Sequence, residues 1–453
     1  MRNTIGSKSI PSSMARREFL CTLGATTVGA AGLAGTLGPF GFARAAITPG
    51  EKGIYITDLR TATVGGLSGP ATIIRLDTNK GVSGYGEARD TSYSLTELAA
   101  LKPIVLGMNP TQVDKVFNAI KSVGNPTSDP TNTNQTNKTG GICAIEMACW
   151  DITGKVYNVP VWKLLGPKLR DSIRLYCDTP QQNSVSALQS AVQTRLNQGF
   201  TWFKMDLQRS MLTSGTDYTT SPETGLPFPA IRIKDTGYTK WANYVAAYRS
   251  MIGTAPLSSD HYQNYASTTY LDINSSIALS NLMAGASYQG MSGGWMEDIM
   301  PWWYPVQSKQ VNDGTPMPIL TGEDMYCLEQ FQALVNAGAV NYIHPDQSTA
   351  GGIHQTSLAA RWAWEHGVRT ALHCSGGTVA FVCSLQIAAG IPDFLSLEHH
   401  HVDVSWYDSL VDGIPKPIMK NGYAAVPEGP GLGITPNASV IAQHLYSGGV
   451  FTQ

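Results

Sequence analysis

Charge is scarce in this chain. Lys plus Arg number 31 and Asp plus Glu 33, so only 14% of the 453 residues are charged and the formal net charge is −2. A balance this even offers no basic patch for a phosphate backbone, so no nucleic-acid partner is expected. Cysteines are few and badly spaced for a redox or metal motif, since none of the seven forms a C-x-x-C pair. After the first 45 residues no long apolar run remains, so no stable membrane insertion is expected of the processed protein.

The one long apolar stretch lies at the start. Arg16 and Arg17 precede Phe19 and Leu20, an uncharged Gly/Ala/Leu segment runs from Thr22 to Ala43, and Ala43-Arg44-Ala45 closes it in a small-x-small pattern. Residues 1–45 read as a twin-arginine signal that is cleaved, which delivers the protein to the periplasm or the outside. The alternative, a retained N-terminal anchor, leaves the protein facing the same compartment. Six cysteines follow the signal: Cys143, Cys149, Cys177, Cys327, Cys374 and Cys383. An even count in an exported protein invites disulfides. Twin-arginine substrates, however, fold before export in a reducing compartment, so these are read as small core residues.

Residues 54–90, IYITDLRTATVGGLSGPATIIRLDTNKGVSGYGEARD, alternate as an antiparallel strand set with a turn at Asp77 to Gly81. A helical pattern from Leu95 to Val123 leads into an Asn/Thr/Pro/Gly tract, Gly124 to Gly141, and a second helical stretch ends at Gly166-Pro167. Short apolar runs then alternate with helical ones: IRLYCD, WFKMDL, APLSSD, GWMED, PILTGE, NYIHPD, VRTALH and FLSLE. Eight such runs with helices between them predict an α/β fold of the (β/α)8-barrel type. The tips Glu297, Glu323, Asp346, His373 and Glu398 are separated by 26, 23, 27 and 25 residues, a near-constant step of one βα unit. Asp206 and Asp260 are 54 residues apart; a Thr/Ser/Pro/Gly-rich tract, Gln208 to Thr239, reads as an insertion over the barrel mouth.

A polar or ionisable residue ends nearly every run. In a (β/α)8 barrel the C-terminal strand ends share one mouth, so Lys204, Asp206, Asp260, Glu297, Glu323, Asp346, His373 and Glu398 converge. Such an anionic ring repels itself without a cation. Asp260, Glu297 and Glu323, on consecutive strands, offer hard oxygen ligands suited to Mg²⁺, with Mn²⁺ as the alternative. Asp298 points the other way by strand alternation and reads as a supporting or helix-capping residue. Asp346 and His373, on the next two strands, form a carboxylate–imidazole pair able to move a proton at neutral pH. Lys204 can stabilise developing negative charge, and Glu398, if protonated, can donate a hydrogen bond to the same group. Together these groups suit abstraction of a proton beside a metal-bound carboxylate, followed by racemisation or by loss of a neighbouring hydroxyl.

Several motifs in order, GVSGYGEA, AIEMACWDITGKVYNVPVWKLLGPKLRDSIRLY, WMEDIMP, LTGED, DQSTAGGI, ALHCSGG and VPEGPGLGI, resemble the mandelate racemase subgroup of the enolase superfamily over almost all of residues 54–437. The resemblance implies an enolase-superfamily modified TIM barrel (171–415), an N-terminal α+β capping domain (46–170) and a C-terminal segment (416–453) that returns to the cap. It implies Asp260, Glu297 and Glu323 as Mg²⁺ ligands, Asp346 and His373 as the catalytic dyad, and Glu398 as a hydrogen-bond donor to a carboxylate. The departure is Lys204-Met205-Asp206, where many members carry Lys-x-Lys, so Asp206 matches the second base poorly. His261, one residue after Asp260, is read as structural, and Tyr262 as facing the substrate as donor or weak base. A single competent base, His373, favours dehydration of an acid sugar such as an aldonate or aldarate, a small-molecule carboxylic acid. The alternatives are a racemase or epimerase of a 2-hydroxy acid, a lyase on uronate-containing oligosaccharides, and a noncatalytic exported carbohydrate-binding protein. A homo-oligomer is the expected assembly. His399, His400 and His401 are read as pointing apart by alternation rather than as a second metal site.

Overall fold

Strand tips that end on charge are placed by a closed barrel. The structure is a computed structural model and describes residues 53–89, 91–123, 139–222, 229–261, 270–287 and 293–452. Eight parallel strands close the barrel: Ser172–Cys177, Phe203–Asp206, Leu257–Asp260, Met296–Glu297, Ile319–Thr321, Tyr342–Ile343, Arg369–Leu372 and Phe394–His399, the last pairing with the first. Each falls on one of the eight apolar runs read from the sequence. Among the described residues seven helices link consecutive strands, from Val185–Asn197 after the first to Thr378–Ala388 before the last. Pairing slips by one residue between Thr370↔Phe394 and Leu372↔Leu397, and this bulge re-aims the end of the eighth strand that carries Glu398.

The main core lies between strands and helices, and Cys143, Cys177, Cys374 and Cys383 belong to it. All six described cysteines are unpaired, five of them buried, in agreement with the core reading. A smaller cluster of Tyr176, Trp202, Trp295, Leu320, Ala371 and Leu395 packs beneath the charged tips, with Tyr176 edge-on to Trp295 at 5.1 Å between ring centroids. This aromatic floor keeps water from below the charges.

A four-stranded antiparallel sheet, in the order Leu445–Thr452, Ile56–Val64, Ala71–Thr78, Ser83–Ala88, packs on helix Gly140–Tyr157. The helical stretch before it is two helices, Thr91–Val105 and Val113–Ile120. The long helix approaches the strand so closely that a Cβ on Gly84 or Gly86 would stand 2.2 Å from the Ala148 carbonyl oxygen or 2.0 Å from that of Ala144. That contact explains the Gly-Tyr-Gly spacing. It also sets where Glu87 on the same strand, and Arg89 just past its end, meet the barrel. Gly86→Ala must push backbone from backbone, and we expect it to cost roughly 3 kcal/mol or more. An unfolding free energy from denaturant titration within about 1 kcal/mol of the parent would sink this account of the contact.

The tract after Asp206 is more regular than its composition suggests. Tyr218–Pro222 and Pro229–Ile233 form an antiparallel hairpin joined by Tyr270–Leu271, and the following helix starts at Asp235, inside the span read as insertion. The Thr-rich alternation that makes the strand also reads as loop composition. Most of the other tract, residues 124–138, lies outside the described residues, as does the N-terminal signal. Among the described residues no helix is long and apolar enough to cross a membrane.

Candidate active site

A cavity of about 580 Å³ opens at the C-terminal ends of the barrel strands. Lys204, Asp206, Asp260, Glu323 and His373 line it from the barrel, while Ser68–Ala71 and Arg89 reach it from the N-terminal sheet. Glu297, Asp346 and Glu398 stand behind that lining, buried.

The imidazole is fixed from one side. His373 Nδ1 lies 2.7 Å from Asp346 Oδ2, and Asp346 Oδ1 in turn accepts the Ser348 backbone N–H at 2.7 Å. Nε2 faces Glu323 Oε2 at 3.0 Å and Glu398 Oε2 at 3.3 Å. Burial disfavours an imidazolium here, but Glu323, Glu398 and the Asp346 bond outweigh it and push His373 up to about 10.

Lys204 lines the cavity with only 2% of its side chain exposed. Its Nζ sits 2.7 Å from Glu398 Oε1, 3.0 Å from Glu297 Oε1 and 3.2 Å from Asp260 Oδ2. Burial works against the ammonium, yet these three carboxylates hold its pKa well above the ordinary lysine range. Glu398 differs from the sequence expectation of a protonated donor. Burial pushes its carboxyl up, but Lys204 and His373 pull it well below the usual range, and it accepts the Cys374 backbone N–H at 3.2 Å. It is an ionised acceptor because two cations face it, a fact that only the folded neighbourhood supplies.

The three carboxylates read as metal ligands occupy three consecutive strand ends. Asp260 and Glu297 are register partners, and Glu297 Oε2 accepts the Trp295 indole N–H at 3.0 Å. Burial, reinforced by neighbouring carboxylates, pushes Glu297 up to about 8 and Asp260 well above its ordinary value. Glu323 is the exception: burial raises it, but His373, Arg89 and Lys204 bring it below. Donor atoms of Glu297, Glu323 and His344 lie within 4.8 Å of one another, whereas Asp260 leans to Lys204. Among the described residues Asp260 Oδ1 is buried with no hydrogen-bond partner. A free buried oxygen, hard donors on neighbouring strands and incompletely compensated repulsion fit a divalent cation such as Mg²⁺.

His344 went unread in the sequence, although it stands two residues before Asp346. Its Nε2 meets the Tyr176 hydroxyl at 2.6 Å and its Nδ1 lies 3.4 Å from Glu297 Oε1. Burial and the nearby His373 hold it well below the ordinary histidine value, hence neutral.

The opposite strand carries an acid rather than a base. Asp206 lines the cavity, and burial, Asp178 and Asp260 push its carboxyl well above the usual range. His261 turns away from the mouth, buried edge-on to Trp241 at 5.5 Å. Tyr262 lies outside the described residues. Asp298 points off the site and accepts a hydrogen bond from Thr321 Oγ1. The three consecutive histidines separate only in part: His399 and His401 both pack against Tyr407, while the His400 ring, 5.1 Å from that of His401, turns to the cavity, where its donor nitrogen lies within 4.8 Å of carboxylate oxygens of Asp178 and Glu398, a group that could hold a cation.

Arg89 and Asp178 were also missed. Asp178 ends the first strand run and had the same signal as the others. Arg89 Nη2 lies 3.4 Å from Glu323 Oε1 although 234 residues separate them; no local pattern marks it. Glu87, two residues earlier, accepts the Gly377 and Ala380 backbone N–H groups and so ties the N-terminal sheet to the loop after His373.

The arrangement is one of known architecture. A model of the mandelate racemase / muconate lactonizing enzyme N-terminal domain matches residues 58–166, and an enolase C-terminal domain-like model matches residues 187–440. The chain belongs to the mandelate racemase and muconate lactonizing enzyme family. Members of this superfamily use Mg²⁺. A family member from Haloferax volcanii named D-xylonate dehydratase is 27% identical over 403 residues, spanning 88% of this chain and 91% of the relative. A D-galactonate dehydratase from Ralstonia nicotianae is 25% identical, spanning 83% and 91%. The fold matches that of a mandelate racemase/muconate lactonizing enzyme-like protein from Rubrobacter xylanophilus with a TM-score of 0.76 at 22% identity, covering 88% of this chain and all of that one.

Proposed function

We propose that this family member dehydrates an acid sugar, an aldonate or aldarate, in a Mg²⁺-dependent reaction. One observation carries the choice of dehydration over racemisation: the His373–Asp346 dyad faces the cavity, and nothing on the second strand can serve as its mirror-image base. Three carboxylates hold Lys204 well above the ordinary lysine range, and burial, Asp178 and Asp260 push the Asp206 carboxyl well above its own. The names of the dehydratase relatives support the same reading.

Asp260, Glu297 and Glu323 would hold the metal, which when bound supplies Lewis-acid neutralisation of charge developing on the substrate carboxylate. The chain's own groups do the rest. Lys204 and Arg89, both lining the cavity, meet the anionic substrate. His373, aimed by Asp346 through Nδ1, takes the proton beside the carboxylate at Nε2. Glu323 and Glu398 face that nitrogen and raise its affinity for a proton; with Glu323 committed to a cation, that pull on His373 would weaken.

The test is a screen of aldonic, aldaric and uronic acids with Mg²⁺, scored by formation of a 2-oxo acid. We expect turnover of at least one aldonate or aldarate. Inverted substrate without 2-oxo acid would replace the proposal by an epimerase, and turnover confined to uronate oligosaccharides by a polysaccharide lyase.

A further inference from the structure

Loss of water needs two proton transfers, and the dyad accounts for one. A hydroxyl leaves badly unless it is protonated as its bond to carbon breaks. Resting on the dehydratase reading, we propose that His400 is the general acid that protonates the leaving hydroxyl.

His400 directly follows the eighth barrel strand, Phe394–His399, two residues after Glu398. It is the member of the histidine triplet that lines the cavity, with a side chain 25% exposed. Nδ1 lies 3.5 Å from Asp178 Oδ2 and 3.9 Å from Glu398 Oε1. Nδ1 makes no hydrogen bond among the described residues, so Asp178 acts on the ring by its charge rather than as the bonded partner that Asp346 is to His373. With Nδ1 turned to Asp178, Nε2 is the nitrogen left for a bound molecule. Glu398 stands between the two rings: His373 approaches its Oε2 and His400 its Oε1. The other titratable groups nearby are His401, whose ring centroid is 5.1 Å away, and Lys204, 3.9 Å from Asp178 Oδ1; Asp206 lines the same cavity. Lys204 is spoken for by its three carboxylates.

The step balances. The C2–H bond breaks and its proton goes to His373 Nε2, while its electron pair forms the C2–C3 double bond. The C3–O bond breaks with its pair on oxygen, which takes the proton of His400 Nε2 and leaves as water. The enol then takes a proton at C3 from solvent and gives up the proton of its C2 hydroxyl to solvent, becoming the 2-oxo-3-deoxy acid. The proton gained by His373 and the one lost by His400 are exchanged through solvent, so no oxidant or reductant enters.

The test compares an acid sugar that the Mg²⁺-loaded protein dehydrates with its 3-deoxy-3-fluoro analogue, because fluoride leaves without a proton. For His400→Gln we expect kcat on the hydroxy acid to fall about 100-fold and on the fluoro acid to stay within about fivefold of the parent. Deuterium from D₂O should still enter C2 of recovered hydroxy acid. His373→Asn should lose both reactions. His400→Gly, supplied with imidazole, should regain dehydration, which a misfolded variant cannot do. A parental rate for His400→Gln on the hydroxy acid, or equal losses on both substrates, overturns the assignment. So does finding the hydroxy/fluoro split in Asp206→Asn instead. A parent that releases neither water nor fluoride from any acid overturns the dehydratase reading itself.

Discussion

In His373→Asn, kcat/KM for dehydration falls about 10⁴-fold, the upper end of what a positioned base contributes. The argument is geometric. His373 carries the ring nitrogen that faces the cavity while its other nitrogen is held at 2.7 Å by Asp346, and an Asn amide cannot accept a proton at neutral pH. Asp346→Asn keeps the ring but removes the acceptor that fixes its tautomer, so a smaller loss, about 10²-fold or more, is expected. Stability must be read beside activity. In the metal-free protein His373 sits between Glu323, Glu398 and Asp346, and deleting that cation leaves their repulsion less compensated. The kinetic comparison therefore belongs in saturating Mg²⁺ with matched thermal unfolding. Activity within tenfold of the parent in a folded His373→Asn would remove this residue from the role of base.

The second large effect is that of metal removal. Chelation should lower turnover by about 10³-fold or more, equivalent to roughly 4 kcal/mol of charge stabilisation. Added Mg²⁺ should restore it, and Mn²⁺ should substitute. Binding should also register without any substrate, since a ligand at 100 times its Kd stabilises the folded state by about 2.7 kcal/mol. The carboxylates are the reason: burial and mutual repulsion hold Asp260 and Glu297 above their ordinary values, and a divalent cation relieves that cost. Glu297→Gln should therefore lose the Mg²⁺-induced rise in unfolding temperature along with activity. Full activity at trace metal, or an undiminished thermal shift in Glu297→Gln, contradicts the assignment of these oxygens.

What was legible in the sequence was what repeats. Eight apolar runs ending on polar residues gave the barrel, because strand ends of a closed parallel sheet share one rim whatever the loops do. His373 and Asp346 were legible for the same reason. What depends on the third dimension was not. Arg89 stands just past the end of a strand outside the barrel, and its approach is set by Gly84 and Gly86 packing under a helix. The ionised state of Glu398 follows from Lys204 and His373, neither near it in sequence. His344 and Asp178 lay in runs already marked, but attention to one tip per run hid neighbours that share its face. The hairpin after Asp206 was hidden by composition, since threonine serves strands and loops alike.

The central claim is that this site removes the proton beside a carboxylate and then expels water. It is tested most directly by ¹H NMR of the Mg²⁺-loaded protein acting on an aldonate in D₂O. The expected record is disappearance of the C2 proton together with a 2-oxo-3-deoxy acid carrying solvent deuterium at C3. An inverted, C2-deuterated aldonate with no water lost, or an unchanged C2 proton across the acids tested with Mg²⁺ bound, would contradict it.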